Sequence, residues 1–99
     1  MLKDLHRGLS ELYGSRLRGL YLFGSYSRGE EESESDVDVL IVLDTLDRYA
    51  AEVEYTGELT AELSLQYGVS LSRAFVSERD WTQGETVFLQ NVREEAIAV

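Results

Sequence analysis

The 99-residue sequence contains no cysteine and no proline, and His6 is its single histidine. Without cysteine the chain forms neither a disulfide bond nor a thiolate metal site. No apolar run approaches the roughly 20 residues that cross a bilayer, and no N-terminal segment has the pattern of a secretory signal. We therefore expect a cytoplasmic protein that does not bind membranes.

Basic residues are also scarce. Lys and Arg number 9 against 19 Asp and Glu, which gives a formal net charge of −10. Nucleic-acid binding depends on neutralising phosphates with Lys and Arg, so direct binding of a polynucleotide is not expected. An acidic surface favours association with a basic partner, but the same charge also keeps a small protein soluble.

The chain has the length of one domain, which we assign to residues 1–99, and has no room for a separate substrate domain. Hydrophobic periodicity predicts helices and strands in alternation, with Tyr67 and Phe88 facing the core. The predicted helices span Met1 to about Gly14, Asp47 to Tyr67, a short segment after Ser77, and Val87 to Ala98. The predicted strands span Leu17–Phe23, Val37–Leu43 and Val69–Val76.

The most informative stretch runs from residue 24 to residue 43. Gly24 and Ser25 follow a predicted strand, and a glycine there lets backbone N–H groups approach an anion such as a phosphate. Asp36 and Asp38 open the next apolar run. Residues i and i+2 of a strand share a face with roughly 6 to 7 Å between their Cα atoms, so both carboxylates can reach one Mg²⁺ ion.

The order of strand, Gly-Ser turn, ten-residue spacer, Asp36-Val37-Asp38 and second strand closely resembles the minimal nucleotidyltransferases of the DNA polymerase beta superfamily. The resemblance covers nearly the whole chain and implies an α/β (α+β) nucleotidyltransferase fold. Such a fold has a small mixed sheet of three to four strands flanked by helices. Within the family, the chain is most similar to the antitoxins encoded beside HEPN-domain toxins.

That resemblance implies a function and a set of site residues. The chain would transfer AMP from ATP to a tyrosine of a HEPN ribonuclease toxin, in a hetero-oligomer with that toxin. One or two Mg²⁺ ions would be held by the catalytic carboxylates of Asp36 and Asp38. Gly24 and Ser25 would line the triphosphate, and Arg28 matches the arginine of the GSxxRG form of the motif.

The sequence departs from the family pattern at one position. Many active relatives place a third carboxylate on the strand after the long helix, whereas that strand here carries Ser70, Ser72 and Arg73, with no acidic residue before Glu78. Three alternatives follow for the metal site: the partner supplies a ligand, ATP completes the second metal site, or catalysis is lost. Two further functions stay open, a binding module that neutralises the toxin by complex formation and an enzyme that modifies a small molecule such as an aminoglycoside.

Overall fold

The protein is described by a computed structural model covering residues 1–23, 36–84 and 86–99. The helices are α1 (Leu2–Tyr13), α2 (Tyr49–Tyr55), α3 (Gly57–Tyr67), α4 (Glu78–Gln83) and α5 (Val87–Glu95), and a 3-10 turn at Gly14–Arg16 follows α1. The strands are β1 (Leu17–Phe23), β2 (Asp36–Leu43), β3 (Ser70–Ser77) and β4 (Ile97–Ala98).

The strands form one mixed sheet in the order β3-β2-β1-β4. β1 pairs antiparallel with both β2 and β4, and β2 pairs parallel with β3. The parallel pair requires a crossover, which α2 and α3 provide. The expected α/β (α+β) fold, a small mixed sheet flanked by helices, is confirmed.

Strand β2 is buried on both faces because helices cover the sheet on each side. Val37, Val39, Ile41 and Leu43 pack on the side of α1 and α3, in a cluster with Leu5, Leu9 and Leu63. Leu40 and Val42 pack on the other side, in a cluster with Val76, Leu89 and Val92. Such burial explains the continuous apolar run of this strand, which is typical of a central strand. The run begins at the two aspartates, so they mark the end of the core.

The predicted long helix is wrong in one respect, because two helices meet at Thr56. Thr56 is fully buried, and its hydroxyl donates to the carbonyl of Glu52. Arg73 of β3 donates from Nε to the Thr56 hydroxyl and from Nη2 to the carbonyl of Val53, each at 2.7 Å. The Arg73 guanidinium therefore binds a hydroxyl and a carbonyl group at the junction of α2 and α3. The adjacent Gly57 already disfavours a continuous helix there.

The C-terminal prediction also needs correction, because the last helix does not continue to Ala98. It ends at Glu95, and Ile97 and Ala98 form a short edge strand paired with Leu22 and Tyr21 of β1. Two residues carry no readable periodicity, so this strand has no signal in the sequence. Within the described residues, no helix is long and apolar enough to cross a membrane.

Two residues predicted to face the core are exposed instead. Tyr67 is 40% exposed, and its hydroxyl donates to the carboxylate of Asp4 on α1. Phe88 is 50% exposed in the first turn of α5. Tyr67 is the last residue of α3 and Phe88 the second residue of α5, and periodicity does not show how far the burial of a helix face extends toward the ends of the helix.

Candidate active site

Asp36 and Asp38 are the first and third residues of β2, at the end of the sheet where the core stops. Asp38 lies between Phe23 of β1 and Ser72 of β3, and Asp36 pairs with Ser70. Alternation along the strand places both carboxylates on the face that carries Leu40 and Val42. The structure therefore brings the two predicted metal ligands onto one face.

The electrostatics of the pair are those of two carboxylates held close together. Burial raises the pKa of the Asp38 carboxyl above its ordinary value, and the negative charge of Asp36 raises it further. Asp36 itself is exposed, whereas Asp38 is half-buried. A divalent cation would remove the repulsion between them, and Mg²⁺ commonly takes one or two protein carboxylates with substrate phosphates and water. The donor set therefore fits a magnesium ion.

Gly24 and Ser25 follow β1 directly in the sequence. β1 ends at Phe23, the direct partner of Asp38, and the chain continues from there into Gly24 and Ser25. Gly24, Ser25 and Arg28 themselves lie outside the described residues, so their predicted contacts with phosphate stay predictions.

Strand β3 carries hydroxyl groups, and no carboxylate, beside the aspartate pair. Ser70 and Ser72 stand beside Asp36 and Asp38 on the same face. Arg73 points to the opposite face, where it binds the α2–α3 junction. In the ranges 1–23, 36–84 and 86–99, no group of three or more His, Cys, Asp or Glu side chains is placed to hold a metal ion.

Glu78, the first acidic residue after β3, is too far away to act as a third carboxylate beside Asp36 and Asp38. Glu78 follows Ser77, which pairs with Leu43 at the far end of β2, five positions beyond Asp38 or roughly 17 Å along the strand. Its carboxylate lies 3.8 Å from Nη1 of Arg18. Glu78 is therefore a surface ion-pair residue and contributes nothing to the aspartate pair.

One feature of the site was missed by the sequence analysis. The ring of Phe23 lies on the same face as Asp38 and packs edge-to-face against Phe88, with 6.1 Å between the ring centroids. The alternation of side chains along β1 predicts the face on which Phe23 lies. Phe23 pairs with Asp38, and directly paired residues share a face of the sheet. The approach of Phe88 is a tertiary contact that periodicity could not show.

A cleft lies on the other side of the sheet. It has a volume of about 570 Å³ and is lined mainly by apolar side chains at the start of α1 and the end of α3, together with Leu22 and Val37. Because Leu22 and Val37 point away from the aspartate face, this cleft and the carboxylate pair are separated by the sheet itself. The aspartates therefore lie on the face of the sheet that packs against Leu89 and Val92 of α5, which we call the α5 face.

Comparison with known proteins identifies relatives of this chain. The profile of a family described as nucleotidyltransferase domain matches residues 2–96. A Methanocaldococcus jannaschii protein, named as a candidate protein adenylyltransferase, is 34% identical over 100 residues, which cover 95% of this chain and 89% of the relative.

Two solved structures share the fold. One is a toxin–antitoxin complex with AMP-PNP, with a TM-score of 0.67 and 26% identity, over 97% of this chain and 69% of the matched chain. The other is a mutant of the MntA–HpeT toxin–antitoxin pair, with a TM-score of 0.59 and 28% identity, over 98% of this chain and 70% of the matched chain.

Proposed function

This chain belongs to the nucleotidyltransferase domain family, and from that premise we propose that it transfers AMP from ATP to a tyrosine of a HEPN ribonuclease toxin and serves as its antitoxin. The observation that carries the proposal is the pairing of Asp36 and Asp38 on one face, beside the strand end that leads into Gly24-Ser25. On this proposal residues 1–99 act as one domain in the cytoplasm, and the toxin supplies the acceptor.

The reaction exchanges one phosphorus–oxygen bond for another. The tyrosine oxygen forms a bond to the α-phosphorus of ATP, the bond from that phosphorus to the bridging oxygen breaks, and pyrophosphate leaves. The hydroxyl proton passes to solvent. AMP is then attached to the tyrosine.

The aspartate pair contributes a cation site to this reaction. Asp36 and Asp38 would hold one Mg²⁺ ion, and a bound divalent cation neutralises charge on the phosphates and lowers the pKa of an attacking hydroxyl. The half-buried position of Asp38 orients its carboxylate, because the neighbouring strands restrict it on both sides.

The nucleotide would be held on the turn that follows β1. We propose that the backbone at Gly24 and the hydroxyl of Ser25 bind the triphosphate, and that the guanidinium of Arg28 adds positive charge beside it. The assignment to a toxin partner is supported by two likenesses. One is to a relative named for adenylyl transfer to protein, and the other is to toxin–antitoxin complexes, one of them with an ATP analogue.

The proposal is tested with purified protein, Mg²⁺, ATP labelled on the α-phosphate, and the HEPN protein encoded beside it. We expect label on the toxin, loss of most of that label in Asp38→Asn, and no change in Asp47→Asn, which removes an exposed carboxylate in the β2–α2 connection. Equal labelling by the wild type and Asp38→Asn would refute catalysis by this site. Chelation of Mg²⁺ with EDTA should abolish the label.

A second candidate function is supported by the serines of β3. With Ser72 in place of a carboxylate beside Asp38, the chain could neutralise the toxin by forming a complex without modifying it. Growth of cells that express the toxin separates the two functions. Protection by the wild type but not by Asp38→Asn supports catalysis, whereas equal protection by both supports simple complex formation.

A further inference from the structure

Apart from the aspartates, the most distinctive feature of the α5 face is an aromatic pair. Phe23 is the direct cross-strand partner of Asp38, so their Cβ atoms lie about 5 Å apart. The ring of Phe88 stands edge-to-face on Phe23 at 6.1 Å. The exposed ring of Phe88 is therefore on the order of 10 Å from the Asp38 carboxylate, on the same side of the sheet.

Phe88 differs from the apolar residues of α5 that face the sheet. Leu89 and Val92 are 7% and 4% exposed, whereas Phe88 is 50% exposed. Phe23, its T-shaped partner, packs against the smaller core cluster. A half-exposed ring that already packs against another ring is a suitable platform for a further planar ring.

From this arrangement we propose that Phe88 stacks on the base of the nucleoside triphosphate and forms a purine subsite beside the aspartate pair. The inference rests on the proposed function, which places the triphosphate at Asp36, Asp38 and the Gly-Ser turn. Among the described residues of α5, the exposed large apolar side chains are Phe88 and Val87, and two side chains expose far less than the roughly 800 Å² per partner of a stable protein interface. A single planar base matches the area better than a protein surface does.

Charge points to the same occupant. Two arginines in the described part of the chain are already engaged by other groups. Arg73 binds Val53 and Thr56 on the opposite face, and Arg93 donates to the carbonyl oxygens of Trp81 and Gly84. In a chain of net charge −10, stacking supplies affinity for a nucleotide without adding positive charge. A ring face reads the size of the base, so purines should bind more tightly than pyrimidines.

The experiment measures the dissociation constants of two magnesium-loaded probes by calorimetry. AMP-PNP carries a base and a triphosphate chain, and inorganic tripolyphosphate carries the phosphates alone. We expect Phe88→Ala to weaken AMP-PNP binding about tenfold and to leave tripolyphosphate binding unchanged. Phe88→Trp should retain AMP-PNP binding, and UTP should bind more weakly than ATP or GTP.

Val87→Ala is the matched control, because Val87 is an adjacent apolar residue, 71% exposed, outside the aromatic pair. It should leave both dissociation constants unchanged. The inference is overturned if Phe88→Ala changes neither constant, changes both equally, or weakens only the binding of the toxin. In those cases the proposed function still stands if Asp38→Asn binds AMP-PNP more weakly than the wild type does. A wild type that binds neither probe overturns both proposals.

Discussion

Asp38 lies directly opposite Ser72 in the parallel pair of β2 and β3. The two side chains share the α5 face, and the serine is exposed. A hydroxyl is a weaker ligand for Mg²⁺ than a carboxylate, and it leaves the site with two negative charges. The register thus identifies the position on β3 at which a single substitution would complete a third ligand.

Replacement of Ser72 by Asp should tighten binding of Mg²⁺ or Mn²⁺ in the absence of nucleotide by about tenfold, because a third carboxylate joins Asp36 and Asp38. Titration of Mn²⁺ followed by electron paramagnetic resonance measures this affinity directly. The metal-free variant should also unfold at a lower temperature than the wild type, since three carboxylates repel more strongly than two.

The control for this substitution is Ser15→Asp. It adds the same charge in the exposed turn after α1, near the end of the sheet where Leu17 pairs with Leu43. We expect no change in Mn²⁺ affinity. If Ser15→Asp and Ser72→Asp raised the affinity equally, the gain would come from net charge and the assignment of Ser72 would be wrong.

The raised pKa of Asp38 leads to a second prediction, which concerns the stability of the metal-free protein. The folded-state pKa of Asp38 is raised, so the folded chain binds that proton more tightly than the unfolded chain does. Above this pKa the ionised carboxylate destabilises the metal-free fold, and the penalty disappears as the pH falls through it. Asp38→Asn should therefore raise the Tm of the metal-free protein at pH 7, by about 2 to 5 °C.

With magnesium bound, the wild type should have a higher Tm than Asp38→Asn, the reverse of the order in the metal-free proteins. The wild type gains stability from an ion that binds only the folded state, whereas Asp38→Asn gains little. Thermal unfolding with EDTA and with Mg²⁺ measures both effects. In EDTA, Asp36→Asn should raise the Tm less than Asp38→Asn does, because Asp36 is exposed. A metal-free Asp38→Asn that is less stable than the wild type would show that the carboxylate is stabilised in the fold by other contacts.

Sequence reasoning predicted the elements that local pattern determines. The β-branched run Val37–Leu43 predicted a strand, and spacing i, i+2 placed Asp36 and Asp38 on one face, as the structure has them. The break at Thr56 depends on Arg73, which is 17 positions away, so no window of local sequence contains both residues. Strand β4 and the contact of Phe88 with Phe23 are likewise products of tertiary packing.

The contact between Arg73 and the α2–α3 junction leads to a third prediction. Arg73→Met should lower the free energy of unfolding by about 2 kcal/mol, because the Thr56 hydroxyl and the Val53 carbonyl lose a charged donor. Urea unfolding followed by circular dichroism measures the loss. Binding of Mg²⁺ and nucleotide should persist under native conditions, since Arg73 faces away from Asp38.

Arg79→Met is the control, because Arg79 is an exposed arginine on α4. It should change the free energy of unfolding by less than about 0.5 kcal/mol. If Arg73→Met abolished nucleotide binding while the variant remained folded, the guanidinium would act on the site, and the separation of the two faces would be wrong.

The last prediction concerns the ion pair that joins the turn after α1 to the end of β2. Asp44 Oδ1 accepts from Nε of Arg16 at 3.0 Å and from the backbone N–H of Thr45 at 2.7 Å. The bond from Arg16, followed by that from Thr45, holds the pKa of the Asp44 carboxyl below its ordinary value of 3.8. A depressed folded-state pKa means that the stabilisation is fully present above the unfolded value and is lost as the pH falls through the folded value.

Asp44→Asn should therefore destabilise the protein by a constant amount at pH 5 to 7, and the difference from the wild type should shrink as the pH falls below 3.8 and through the lower folded-state value. Urea unfolding across this range measures the difference, and Asp47→Asn, an exposed carboxylate three residues further along, should show none at any pH. A difference that persisted in acid would mean that the Asn side chain disrupts the packing of the turn. The ionised contact with Arg16 would then not be its origin, because a protonated Asp44 can no longer form it.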